Sequence, residues 1–173
     1  MLADDVIRLE PLAESHLEGL AALGQDPLVA RNTRVPEPWP EAFERRWLDL
    51  YEKGREEGKR HGYAVVDAET GAFLGIAGVV DIHRDANQGE IGYALAPEAR
   101  GRGIATRALE LVTRYALEDL GLERVELQIA TDNDASIRVA EKCGYRREGV
   151  LRSLYVKPGR RGDFVIYSRL PDD

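Results

Sequence analysis

The sequence predicts an α/β (α+β) fold, one domain built on a mixed sheet with helices on both faces. Three observations carry this expectation. The chain has 173 residues, enough for one domain with a sizeable core, and 43% of them are hydrophobic. Runs of strand and helix periodicity follow one another in the order β-α-α-β-β-β-α-β-α-β-β. Strands grouped before a helix, instead of alternating strictly with helices, imply a mixed sheet.

Each element has a local reason. Val6-Ile7-Arg8-Leu9 reads as a first strand, ended by Pro11. Ala13 to Leu23 follows as a helix with Leu17, Leu20 and Ala21 on one face, stopped by Gly24. Pro36, Pro38 and Pro40 break the chain before a second helix from Glu41 to Gly54, where Phe43, Trp47, Leu50 and Tyr51 share helical spacing. Tyr63 to Val66 and Phe73 to Val80 form a hairpin around Glu69-Thr70-Gly71, and Glu90 to Leu95 continues the meander. The main helix is expected from Gly103 to Leu120, burying Ile104, Ala108, Leu111, Val112 and Tyr115, with Gly121 as its stop. Arg124 to Ile129 alternates as a strand with Val125, Leu127 and Ile129 on one face. A short helix from Asp134 to Cys143 is capped by Asn133 or Asp132 and ended by Gly144. Strands near Val150 to Val156 and Asp163 to Ser168, joined by Pro158-Gly159, close the chain.

Composition narrows the function classes. The longest apolar stretch, Phe73 to Val80, is far too short for a membrane span, and Met1 to Asp5 has no basic or long apolar segment, so no signal peptide is expected. A single cysteine excludes an internal disulfide framework, and cytoplasmic residence is the expectation. A formal charge of −7 argues against a nucleic-acid partner. It is compatible with cationic amine substrates and equally with ordinary solubility charge. His16, His61 and His83 lack ligand spacing, and no metal is expected. Cys143 shares a helical face with Val139 and Ala140, which suits a small buried side chain better than a nucleophile. There is no Gly-x-Ser-x-Gly elbow, Walker lysine motif or kinase signature, so covalent catalysis has no obvious nucleophile.

The most informative segment is the turn Arg100-Gly101-Arg102-Gly103-Ile104-Ala105, between a strand and the main helix. The first N–H groups of a helix lack intrahelical partners, and the helix dipole adds partial positive charge there. Glycines let that backbone approach a ligand closely. Together they make an anion site suited to a phosphate or pyrophosphate. Gly101-x-Gly103-x-x-Thr106 also approximates a dinucleotide fingerprint, but Ala96 to Arg100 intervene after the strand and Glu90 interrupts its apolar run.

Arg100-x-x-Gly103-x-Ala105 resembles the [Gln/Arg]-x-x-Gly-x-[Gly/Ala] signature of the GNAT superfamily of N-acetyltransferases. Asn133-Asp134-Ala135-Ser136 and Glu141-Lys142-Cys143-Gly144-Tyr145 are similar to the Asn-x-x-Ser and Glu-Lys-x-Gly-[Phe/Tyr] segments of its RimJ/RimL-like branch. The resemblance covers almost the whole chain. It implies a single N-acetyltransferase domain over residues 1–173, with a mostly antiparallel sheet whose strands splay beside the cofactor. It implies acetyl-CoA as cosubstrate and a primary amine as acceptor, either a small molecule or a protein N-terminus. The exposed closing strands allow a homodimer. A non-catalytic acyl-CoA-binding module is the alternative.

Direct acyl transfer needs an anchored cofactor, a neutral amine, donors for the oxyanion and a proton for the leaving thiolate. The turn from Arg100 through Gly101, Arg102, Gly103, Ile104 and Ala105 to Thr106 can supply the first. Backbone N–H groups near Tyr93, Ala94 and Leu95 are the candidate oxyanion donors. Ser136 lies on a helical face with Val139, Ala140 and Cys143, so its hydroxyl should point towards the sheet; a capping role gives the same sequence. In the branch it resembles, the matching serine lies at the coenzyme A sulfur, and Asn133 helps fix that loop, although alone it would be a helix cap. Glu90 alternates with Gly92 and Ala94 on one strand face. It is a candidate base working through water, or a solvated strand carboxylate. Tyr155 stands where some branch members carry a glutamate; it is a candidate acid, an acceptor-site residue or a core aromatic. Trp39 and its neighbouring prolines lie where GNAT folds place an acceptor-side lip, and an ordinary proline-rich loop reads the same way.

Overall fold

A computed structural model describes residues 2–173. Its strands are β1 (Leu2–Ala3), β2 (Ile7–Pro11), β3 (His61–Asp67), β4 (Phe73–His83), β5 (Gln88–Leu95), β6 (Arg124–Ala130), β7 (Arg146–Lys157) and β8 (Arg160–Arg169). Its α-helices are α1 (Leu17–Gly24), α2 (Pro27–Asn32), α3 (Phe43–Glu56), α4 (Ile104–Arg114) and α5 (Asp134–Lys142). The strands form one sheet in the order β1-β2-β3-β4-β5-β6-β8-β7. All neighbours are antiparallel except β5 and β6, which α4 joins by the crossover that a parallel pair requires.

Strand alternation feeds two cores. Tyr63 and Val65 of β3 join Ile91, Leu109, Val112 and Tyr167 in the core that contains α4. Ala64 and Val66 point the other way, to Leu20, Leu23 and Leu48 of α1 and α3. Leu109 and Leu20 are completely buried, each worth about 1.5–3 kcal/mol of hydrophobic stabilisation.

The feature that positions the site is the brevity of the β5–β6 ladder. Only Gln88 with Arg124, Gly89 with Val125 and Glu90 with Glu126 are paired. From Ile91 onward β5 has β4 on one side and a cleft on the other. The expected splay of a mixed, mostly antiparallel sheet is therefore present.

Several boundaries differ from the sequence expectations for identifiable reasons. Helix α2 was not expected, although Asp26 caps it by accepting from Leu28 and Val29 N–H, with Pro27 in the first turn. Helix α3 runs two residues past its expected end at Gly54, to Glu56, and the stem of Arg60 lies where a Cβ on Gly54 would project. The main helix turns into a π-helical segment at Tyr115–Asp119 instead of continuing as α to Leu120. Strands β4, β7 and β8 extend beyond their expected ends.

Candidate active site

The turn before α4 has the geometry its sequence requires. Gly101 and Gly103 hold φ of 72° and 78°, left-handed values that a side chain would strain. Gly103 is the N-cap of α4, so the first amides of that helix open onto the space beyond the turn. The Arg100 side chain turns inward. Its guanidinium donates to Leu95 O at 2.9 Å and pairs with Asp26 at 2.7 Å. Burial pushes the Asp26 carboxyl up, but Arg100 and the Val29 and Leu28 N–H groups outweigh it and hold it below the usual carboxylate range. Arg100 thus fastens the turn to the end of β5 and the start of α2 while still lining the cavity beside the turn. Arg102, alone among residues 100–106, does not line the adjoining cavity; its guanidinium reaches back towards Glu98 O.

Two cavities meet in the cleft. One, of about 330 Å³, is lined by Leu95, Arg100, Gly101, Gly103 and Ile104 to Thr106, with Arg138 and Lys142 of α5 opposite. The other, of about 490 Å³, lies against Phe43, Trp47 and Tyr51 of α3, so the aromatic stripe read from the sequence forms its wall. Asn32, Thr33, Tyr93, Ala94, Asn133 and Ser136 line both. A thin ligand lying along the first cavity would present its end to the second at these residues.

The junction is chemically pointed. The Tyr93 hydroxyl is buried and has no hydrogen-bond partner among the described residues. Buried polar atoms are nearly always satisfied, so an orphaned phenol facing a cleft marks a place for a ligand atom. Burial pushes its pKa up to about 12, while the neighbouring Ser136 hydroxyl, outside bonding geometry, pulls it the other way. Such a phenol stays protonated and can only donate or accept a hydrogen bond as the neutral group. Asn133 does cap α5, accepting from Ser136 N–H at 3.2 Å through its side chain. That backbone bond leaves the Ser136 hydroxyl free to face the junction.

Glu90 lines the larger cavity, with its side chain only 16% exposed. Burial raises its pKa above the ordinary carboxylate value, and Arg34, at 3.2 Å, offsets part of that rise. Arg34 also donates to Gln128 on β6 at 2.8 Å, and so spans the open cleft. Tyr155 is not brought to the site. It is 55% exposed on β7 and lines neither cavity, because the bulged β7–β8 pairing turns it to the outer surface. Cys143 is buried and lines neither cavity, and burial pushes its thiol up to about 11, which suits the inert role read from the sequence. Trp39 is an anchor: its ring fills the space above Gly24 and packs edge-on against Phe43 and Trp47, while Val35 and Pro36 of the same loop reach the cavity.

Sequence reasoning missed Asn32, Thr33 and Arg34, which follow the unexpected α2, and Arg60 on the wall of the larger cavity. The Asp26-Pro27 pair was the available signal for α2. Nothing local marks Arg34, whose partner Glu90 comes from a distant segment, and Arg60 was passed over although it packs on Tyr51 of the preceding helix. Among the described residues no cluster of His, Cys, Asp or Glu is placed to hold a metal ion, and no helix is long and apolar enough to cross a membrane.

Comparisons with known proteins agree with this geometry. The chain is 32% identical over 166 residues to the putative ribosomal N-acetyltransferase YdaF of Bacillus subtilis, covering 93% of this chain and 85% of the relative. It is 29% identical over 114 residues to an uncharacterised N-acetyltransferase of Bacillus licheniformis, but spans only 64% of that relative's length. Its fold matches the spermidine N-acetyltransferase of Vibrio cholerae, solved with CoA and spermine, with a TM-score of 0.83 at 23% identity over 96% of both chains. The acetyltransferase (GNAT) domain model matches residues 7–146, from the second strand through the cleft to the start of β7. The chain belongs to the GNAT acetyltransferase family.

Proposed function

We propose that this protein transfers the acetyl group of acetyl-CoA to a primary amine by direct attack, without an acyl-enzyme. The observation that carries this reading is the junction of the two cavities at the orphaned Tyr93 hydroxyl and Ser136. The residues present fit the cosubstrate. The glycine turn and the first amides of α4 suit its pyrophosphate, with Arg138 and Lys142 nearby as cations, and Tyr93, Ala94, Asn133 and Ser136 would flank the thioester end.

The amine nitrogen forms a bond to the acetyl carbon, and the carbon–sulfur bond breaks. Glu90, raised by burial and held beside Arg34, takes the amine proton directly or through water. Backbone N–H groups of β5 past Glu90, unpaired on the cleft side in alternation, meet the carbonyl oxygen as it gathers charge. Ser136 or Tyr93 supplies the proton to the departing thiolate. The relatives support an amine acceptor, since they include proteins named for ribosomal and spermidine acetylation. A homodimer would use the open edge of β7, which exposes Val150, Leu151 and Tyr155; sedimentation at increasing concentration tests it.

The test of the function is an amine panel incubated with the protein and acetyl-CoA, following free CoA and the mass of the product. Amine-dependent CoA release with acetylated product is expected. Tight acetyl-CoA binding with no turnover on any amine would identify a non-catalytic binding module instead.

A further inference from the structure

The larger cavity contains a cation that nothing in the proposed transfer uses. Arg60 lies half-buried on its wall, with its guanidinium carbon 5.7 Å from the centre of the Tyr51 ring. Its stem rests in the space left by Gly54, where a Cβ would stand 2.1 Å from Arg60 Cγ. A glycine inside a helix costs about 1 kcal/mol relative to alanine, and this one makes room for the arginine. Among the described residues the Arg60 side chain has no ion pair or hydrogen bond. Of the neighbouring acids, Glu90 is held by Arg34 and Glu57 at the end of α3 by Lys53 and Lys59, while the exposed Asp81 shares a hydrogen bond with His83.

The charge balance bears directly on the acceptor. A polyamine would need several unpaired carboxylates spaced along the wall. This wall offers Glu90 and the exposed Asp81 against two arginines, together with Phe43, Trp47, Leu50 and Tyr51. The Tyr51 phenol lies within the fields of both Arg60 and Glu90. One cavity therefore holds a carboxylate at one place, an unneutralised guanidinium at another, and an aromatic wall.

We propose that Arg60 is a carboxylate-binding subsite and that the acceptor is a primary amine with an apolar body and a carboxylate at its far end. The planar guanidinium donates to both carboxylate oxygens in a fork, and its charge repels a second ammonium group. This rests on the acetyltransferase reading above and assigns its substrate class.

The test uses the full chain with acetyl-CoA and two matched acceptors, para-(aminomethyl)benzoate and para-(aminomethyl)benzamide, with spermidine beside them. The carboxylate should show a kcat/KM about tenfold or more above the amide, and spermidine should fall below both. In Arg60→Gln, checked for an unchanged melting temperature, the carboxylate-to-amide ratio should fall to about one. Arg60→Lys should retain part of the preference, which keeps the test intact if the glutamine variant unfolds. A ratio near one in the unaltered protein, an unchanged ratio in a folded Arg60→Gln, or a preference for spermidine would each overturn the subsite. If no amine is acetylated, the transferase reading fails, and the subsite is judged separately by calorimetry. Binding of the benzoate to the CoA-saturated protein that weakens in Arg60→Gln supports it, and equal binding overturns it.

Discussion

The cavity at the start of α4 and the cavity against α3 meet at Tyr93, yet they are made of different material. One wall of the first is backbone in special conformations, with two left-handed glycines and a helix N-terminus within residues 101–106, faced by α5 and the end of α2. The second is assembled from side chains of α3, the loop after α2, β3, β4, β6 and β8. A backbone site tolerates few changes, because the main chain must adopt special conformations there. A side-chain site can be rewritten one residue at a time, so the identity of the acceptor is free to vary on a fixed cofactor platform.

Substitutions that separate the two regions should differ in what they disturb. The largest effect is expected from Thr106→Glu, in the first turn of α4 facing the smaller cavity. A carboxylate there favours the helix but repels a phosphate; two unit charges at about 4 Å interact by about 4 kcal/mol at an effective dielectric of 20 and about 1 in water. Calorimetry should show acetyl-CoA affinity falling on the order of a hundredfold with the melting temperature held. Unchanged affinity would remove the turn from the binding site.

Next comes Ser136→Ala, at the junction. Because Asn133 caps α5 through the Ser136 backbone, the helix should survive. The expected loss is in kcat, roughly ten- to a thousandfold, with little change in acetyl-CoA affinity. Full activity would shift the proton donor to Tyr93.

Arg34→Ala should act on the acceptor side alone, through pH. Around Glu90 stand Arg34, Gln128, Glu126, Asp81 and Tyr51, and of these only Arg34 strongly favours its ionised form. Burial raises the Glu90 pKa and Arg34 lowers it, so removing Arg34 moves the acid limb of kcat/KM to higher pH. Because Arg34 is half exposed, the shift should be smaller than for a fully buried pair. An unmoved limb would mean that Glu90 is not the titrating base.

The smallest effect is expected for Cys143→Ala, which touches neither cavity. It should keep most of the rate and cost roughly 1 kcal/mol of stability through the lost sulfur packing. A large rate loss with an acetylated cysteine trapped in the native protein would refute direct transfer.

The same division explains what could be read from the chain before any coordinates. The strand-turn-helix around Gly103 and the Asn133 cap are local in sequence, and both are present as expected. The anchoring of Arg100 could not be read because its partner Asp26 lies 74 residues away, and only the fold brings them together. Arg34 and Glu90 are 56 residues apart and equally invisible to periodicity. Tyr155 was misplaced because bulges in the β7–β8 ladder reset which face a residue occupies, and strand alternation cannot anticipate them. The end of α3 was placed two residues early, at Gly54, whose missing side chain instead makes room for the stem of Arg60.

The short β5–β6 ladder has a mechanical consequence. Within the sheet, pairing at Gln88–Glu90 alone joins β1 to β5 with β6 to β8, so these residues form a seam in the ladder beneath the shared core around α4. Amides at a seam exchange with solvent through small local openings that leave either half folded. Whatever bridges the cleft draws its binding free energy partly into closing that seam, since a ligand favours the closed form in proportion to its occupancy. Slowed hydrogen exchange at Gly89 and Val125, far from the glycine turn, would then report how firmly the two halves have been clamped.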